Sequence, residues 1–193
     1  MEPDIKDGLF SGYLRHERLR RVARYVTGRS ILDIGCDRGY LIDYLPDTLV
    51  YHGVDACREM LSDAQRRFGQ HSFHHLMLSV ESVQALPARQ FDTIAMVAVV
   101  EHLNEPVDVL RRLAEKLTTS GRIIITSPHR RSHRLLVAMA RLGLARNDKH
   151  EHEHYIDHAM MCRLSAQSSL RIVVHKTFQF RLNQLWVLEK RND

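Results

Sequence analysis

Cysteine is scarce in this chain, and its scarcity excludes a class of proteins at once. Cys36, Cys57 and Cys162 are odd in number and form no CxxC pair. A disulfide-stapled scaffold is therefore excluded, and a reducing, cytoplasmic setting is expected. Long hydrophobic runs are missing as well. The longest, "TIAMVAVV" at 93–100, falls far short of the roughly 20 apolar residues a spanning helix needs. The start, "MEPDIKDG", is polar and acidic, unlike a secretory signal. With only five prolines and nine glycines in 193 residues, and no repeat, linker or low-complexity tract, residues 1–193 read as one domain.

What is present is an ordinary globular composition, 44% hydrophobic and 26% charged. The formal charge of +5 gathers in "LRHERLRR" (14–21) and "PHRRSHR" (128–134). Such patches are commonly solvated surface; attraction of nucleic acid or an acidic substrate is the alternative.

Hydrophobic periodicity predicts strands alternating with helices. An opening helix, within an N-terminal segment 1–28, carries Leu14, Leu19, Val22, Ala23 and Val26 on one side. "SILDI" reads as a buried strand, followed by a glycine turn and a helix through about Tyr44. "LVYHGVD", "HHLMLSV", "FDTIAMVAV" and "RIIITSP" read as further strands, with "CREMLSDAQRRF" a helix after the second. Pro106 starts a helix with Val107, Leu110, Leu113, Ala114 and Leu117 inward and Gly121 past its end. Helices are expected near 132–144 and 157–167, then two closing strands. The pattern predicts a doubly wound α/β fold: a mostly parallel seven-stranded sheet with helices on both faces and one antiparallel edge strand. Ligands of such sheets bind at the carboxyl ends of the strands, where Gly35, Asp55 and Val97 fall.

The turn in "ILDIGCDRGY" (31–40) discriminates among ligands. Asp55 ends the second strand and offers two acceptor oxygens suited to ribose hydroxyls; capping the next helix is its structural alternative. A dinucleotide's pyrophosphate needs a glycine-rich cradle. Here Asp37 stands between Gly35 and Gly39, and a carboxylate repels pyrophosphate. A cationic, phosphate-free ligand meets no such objection, and aspartate tolerates the left-handed conformation of a glycine turn.

"ILDIGCDRGY", "YHGVDA", "LSVESVQALPARQFD", "FDTIAMVAVVEHLNEP" and "SGRIIITSP", in this order, resemble the class I S-adenosylmethionine-dependent methyltransferases. They look nearest to the branch of ubiquinone-biosynthesis O-methyltransferases. The resemblance implies S-adenosyl-L-methionine as methyl donor and S-adenosyl-L-homocysteine as product. It implies that Asp33, Gly35 and Cys36 line the methionine part, mainly through backbone, and that Gly39 belongs to the same cofactor site. Asp55 would take the ribose hydroxyls, Ala56 would lie against adenine, and Ser79 and Val80 would meet its edge. Val97 would offer its carbonyl to the ammonium, and Arg18 (or Arg15) would hold the carboxylate.

The acceptor expected is the oxygen or nitrogen of a small molecule. A hydroxyl acceptor needs a base, for which His102, His129 and His154 are candidates. The segment 128–158, with "DKHEHEHYIDH" (148–158), reads as a substrate lid. No metal site is expected: the small-RNA 2′-O-methyltransferases hold a metal through Glu-x-x-Glu-His, and Ala98 replaces the first glutamate before Glu101 and His102. A 2′-O RNA methyltransferase and an inactive partner subunit of the same fold are the alternatives. Oligomeric state is not legible in the sequence.

Overall fold

The computed structural model describes residues 9–129 and 156–191. The helix expected at 132–144, most of the expected lid and the histidines His150, His152 and His154 lie outside them.

Seven strands form one sheet: β1 Ser30–Ile34, β2 Val50–Asp55, β3 Ser72–His75, β4 Phe91–Val97, β5 Leu117–Pro128, β6 Leu170–Phe178 and β7 Asn183–Lys190. Their order is β3-β2-β1-β4-β5-β7-β6. The first five run parallel, and β7 lies antiparallel to both β5 and β6. The mostly parallel sheet with an antiparallel edge pair is as the pattern predicts. The reversed strand is β7, which inserts beside β5 and leaves β6 outermost, because a hairpin between the closing strands returns the chain inward.

Helices cover both faces. α1 (Leu9–Ala23) and α2 (Arg58–Arg67) pack on one, where Leu19, Val22, Ile31, Leu41, Tyr51 and Leu61 share a core. α3 (Pro106–Glu115) and α4 (His158–Gln167) cover the other through Leu110, Leu113, Met161 and Leu164. The strand order reverses direction between β1 and β4, so the carboxyl ends of these two strands open a crevice.

Local departures from the expected elements have identifiable causes. The helix expected after the glycine turn is only a 3-10 turn, Ile42–Tyr44. Pro46 forbids helical geometry at Leu45, which turns extended at φ −106°, ψ 154°. The third strand lies earlier than "HHLMLSV". β2 ends at Asp55, whose pairing partner is His75, so residues beyond have no neighbour to pair with. Leu76, Leu78 and Val80 pack on the core from a loop instead. Gly121 sits inside β5 rather than past α3: a Cβ there would lie 2.9 Å from the Phe91 carbonyl oxygen.

Candidate active site

The rim at the ends of β1 and β2 is built by hydrogen bonds from a single turn. Gly35 and Cys36 amides donate to the Val54 carbonyl at 2.8 and 3.1 Å, and Gly39 N–H closes the turn on the Cys36 carbonyl at 2.9 Å. Gly35, Asp37 and Gly39 all adopt positive φ, at 72°, 50° and 71°. Asp37 thus holds the left-handed conformation that aspartate tolerates better than most residues. Gly35 is demanded twice over: a Cβ would stand 2.4 Å from Val99 Cγ2. Cys36 buries its thiol, which donates to the Asp37 carbonyl at 3.7 Å, and burial beside Asp33, Asp55 and Asp37 pushes that thiol strongly up.

Asp55 locks this rim. Its Oδ2 accepts from Asp37 N–H and its Oδ1 from Cys57 N–H, both at 2.8 Å. The anticipated capping role is therefore present in altered form, since Cys57 itself is the α2 cap. Each carboxylate oxygen retains a second lone-pair direction for a ligand hydroxyl. Asp33 lies beneath, 2% exposed, accepting from Tyr51 Oη at 2.7 Å, with Oδ1 unpartnered among the described residues. Burial, with Asp55 and Asp37 repelling its charge against the Tyr51 hydrogen bond, pushes it up to about 7. Three carboxylates thus crowd one turn.

The adenine-edge candidates sit beside this rim. Ala56 is exposed, its carbonyl 3.0 Å from His75 Nε2. Ser79 is engaged in its own turn: its hydroxyl donates to Glu81 Oε2 at 2.8 Å and accepts from Ser82 N–H at 3.2 Å. That contact brings a carboxylate beside Ser79, and Val80 packs against the core. Val97 ends β4, in register with Thr126 of β5.

Across the crevice the character changes. Ala98 takes φ 58°, an uncommon conformation for a residue with a Cβ. Its N–H donates to the Thr126 carbonyl at 2.9 Å, and the chain then enters a 3-10 turn, Val100–His102. That turn buries Glu101 to 1% exposure and leaves His102 exposed. Neither carboxylate oxygen of Glu101 has a hydrogen-bond partner among the described residues, nor do Thr126 Oγ1, Ser127 Oγ or the buried Nε of Arg18. Arg18 reaches the same rim from α1, its Nη2 donating to Asn183 Oδ1 at 3.3 Å. Burial pushes Glu101 up to about 7 against the pull of its own backbone N–H and then of Arg18. Ser127 favours the charged form from nearby but stands outside hydrogen-bond geometry. Burial in turn works against the charge of Arg18, which Glu101 supports. His129 follows β5, half-buried, its N–H bonded to the Leu182 carbonyl at 2.7 Å. His154 is outside the described residues.

Comparison with known proteins decides the family: residues 9–175 match the family described as "Methyltransferase domain". The chain belongs to that family. It is 32% identical over 117 residues to aklanonic acid methyltransferase DauC of Streptomyces sp. (strain C5), a match covering 58% of this chain and 53% of that protein. It is 24% identical over 152 residues to the ubiquinone biosynthesis O-methyltransferase of Aeromonas salmonicida (strain A449), covering 75% and 64%. The chain thus spans between half and two thirds of the length of these relatives. Among solved structures, an S-adenosylmethionine-dependent methyltransferase from Clostridium acetobutylicum superposes with a TM-score of 0.71 at 13% identity, covering 95% of each chain. This likeness carries the Rossmann-like fold.

The resemblance marked Asp33, Gly35, Cys36, Gly39 and Asp55, and the fold gathers these residues around one turn, Asp33 from β1 and Asp55 from β2. Tyr51, Thr126, Ser127 and Asn183 were not singled out. A signal existed for two of them: "TS" ends the otherwise apolar run "RIIITSP", where a strand buried on both faces leaves the sheet.

Proposed function

We propose that the protein is an S-adenosylmethionine-dependent methyltransferase acting on an oxygen or nitrogen of a small-molecule acceptor. The observation that carries the donor is the crowding of Asp33, Asp37 and Asp55 around one glycine turn. Their mutual repulsion is relieved by a cation and worsened by a pyrophosphate. A ligand with a sulfonium and an ammonium, and no phosphate, fits that field. When bound, it supplies an activated methyl group on sulfur.

The chain's own residues hold and orient. Gly35, Cys36 and Gly39 give backbone to the methionine part, and Asp55 accepts ribose hydrogens on oxygens already fixed by Asp37 and Cys57. Ala56, Ser79 and Val80 flank the base, Val97 offers its carbonyl, and Arg18 stands where a carboxylate can be paired. Holding donor and acceptor in line supplies a large part of such catalysis, up to about 7–11 kcal/mol in favourable cases. The relatives named for aklanonic acid and for ubiquinone biosynthesis support a small-molecule acceptor. Residues 128–158 are proposed as the acceptor's cover and 1–193 as one domain.

Calorimetry tests the reading. S-adenosylhomocysteine should bind at micromolar levels, and S-adenosylmethionine should also release protons near neutral pH, because its sulfonium beside Asp33 draws the raised carboxyl down. NAD should not compete. Binding of NAD with none of S-adenosylhomocysteine would refute the donor.

A further inference from the structure

Four buried polar atoms without hydrogen-bond partners among the described residues converge on the rim opposite the carboxylate turn. They are both oxygens of Glu101, the hydroxyl of Ser127, and Nε of Arg18. An unpaired buried polar group costs about 1–3 kcal/mol, and a charged one more. A protein built to no other end would pair them with each other or replace them with apolar residues. Glu101 is the most telling. Its carboxylate is sealed at 1% exposure by a turn that requires Ala98 at positive φ. A structural counter-ion for Arg18 would close a hydrogen bond to it; this one does not.

We propose that Glu101 is the acceptor-side base, and that with Ser127 it meets a hydroxyl-bearing acceptor whose proton it takes. The inference rests on the methyltransferase reading above and narrows its acceptor from oxygen or nitrogen to oxygen. The buried carboxylate makes that choice. An aliphatic amine arrives as ammonium, which Glu101 pairs with and holds protonated and unreactive. A hydroxyl needs a base as its oxygen bonds to carbon. In the step, the acceptor O–H bond breaks and its proton passes to a Glu101 oxygen. The acceptor oxygen uses the freed pair to bond the methyl carbon, while the pair of the sulfur–methyl bond stays on sulfur. Glu101 then loses the proton to solvent as product leaves.

The groups facing Glu101 are its own backbone N–H and Arg18 from α1, which favour its charged form, and Ser127 from β5; Asn183 of β7 is tied to Arg18. A carboxyl raised by burial to about 7 exchanges protons efficiently near neutrality. Of the three histidines considered for this role, His102 is exposed on the same turn, whereas Glu101 points inward.

The test compares the wild type with Glu101→Gln and Glu101→Asp. Radiolabelled S-adenosylmethionine is offered with a panel of phenols, catechols, aliphatic alcohols, primary amines and transfer RNA. Infrared titration of protonated carboxyls provides a readout that needs no acceptor. We expect a hydroxyl compound to be methylated with a rate that rises with pH through about 7. Glu101→Gln should lose at least 100-fold in turnover and that pH inflection, Glu101→Asp should recover part, and S-adenosylhomocysteine affinity should stay within about twofold. One of two carboxyl bands titrating near neutrality should vanish in Glu101→Gln, the other belonging to Asp33. Retained turnover or an unchanged infrared titration in Glu101→Gln overturns the proposal, as does methylation confined to amines or RNA. Parallel loss of cofactor affinity and turnover also overturns it, by making Glu101 structural. Failure of the wild type to bind S-adenosylhomocysteine instead sinks the donor assignment beneath it. If no panel member turns over, the hydroxyl-acceptor assignment is overturned.

Discussion

The two sides of the crevice are made of similar residues and finished differently. On the β1–β2 side, acidic groups are tied into the protein: Asp55 accepts two backbone N–H groups and Asp33 the Tyr51 hydroxyl through one of its two oxygens. On the β4–β5 side, Glu101, Thr126 and Ser127 are as deeply buried yet unpaired among the described residues. The first side is preorganised, so its geometry precedes its ligand. The second leaves its hydrogen-bonding capacity for something that arrives. A donor common to a family can be met by a fixed cradle, whereas an acceptor particular to one enzyme is met by groups held in reserve.

The strongest way to break this contrast is at Gly35, where both sides touch. Gly35→Ala places a Cβ against Val99 at a positive φ, and should destabilise the fold by about 2–4 kcal/mol from strain and overpacking together. Urea denaturation measures it; a loss below about 1 kcal/mol would mean that Val99 yields freely.

The cradle itself is tested by Asp55→Ala. It removes two charge-assisted hydrogen bonds, and should weaken S-adenosylhomocysteine binding by about 1–3 kcal/mol in a folded protein. Unchanged affinity in calorimetry would move the ribose contact elsewhere.

The two sides should nevertheless titrate alike. Asp33 and Glu101 each have a folded pKa of about 7, above the ordinary carboxylate range near 4. A raised carboxyl pKa means that the folded state binds the extra proton. The favourable contribution is therefore complete below about pH 4 and lost as pH rises to about 7. Stability from these groups should fall with pH across that window, at up to about 1.4 kcal/mol per pH unit for each. Chemical denaturation at several pH values should show the slope, and Asp33→Asn with Glu101→Gln should flatten it. A slope unaltered in the double variant would assign it to other groups.

The smallest effect sharpens the contrast. Tyr51→Phe removes one neutral donor to Asp33 and should cost about 1 kcal/mol. It should also move the Asp33 infrared titration upward while leaving that of Glu101 in place. Movement of both would couple the two sides.

The sheet, its helices on both faces and the glycine turn were legible because each has a local cause. Continuous apolar runs mark strands buried on both faces, Pro106 marks a helix start, and Asp37 marks a position that tolerates positive φ. The shortened helix after the turn was legible in principle from Pro46. The third strand was not: its length depends on where β2 stops pairing, a non-local fact. Likewise β7 lies between β5 and β6, although both closing strands carry the same kind of apolar pattern.

By itself, then, the sequence determined which residues meet in the turn, because 31 to 40 are joined covalently and Asp55 ends the adjacent strand. The gathering of Arg18, Glu101, Ser127 and Asn183 was decided only by tertiary structure. They come from α1, the turn after β4, β5 and β7, and no periodicity links them. Burial also decided their chemistry: a glutamate in "VVEHL" is an ordinary acid in water, and acquires a pKa of about 7 only when packing strips that water away.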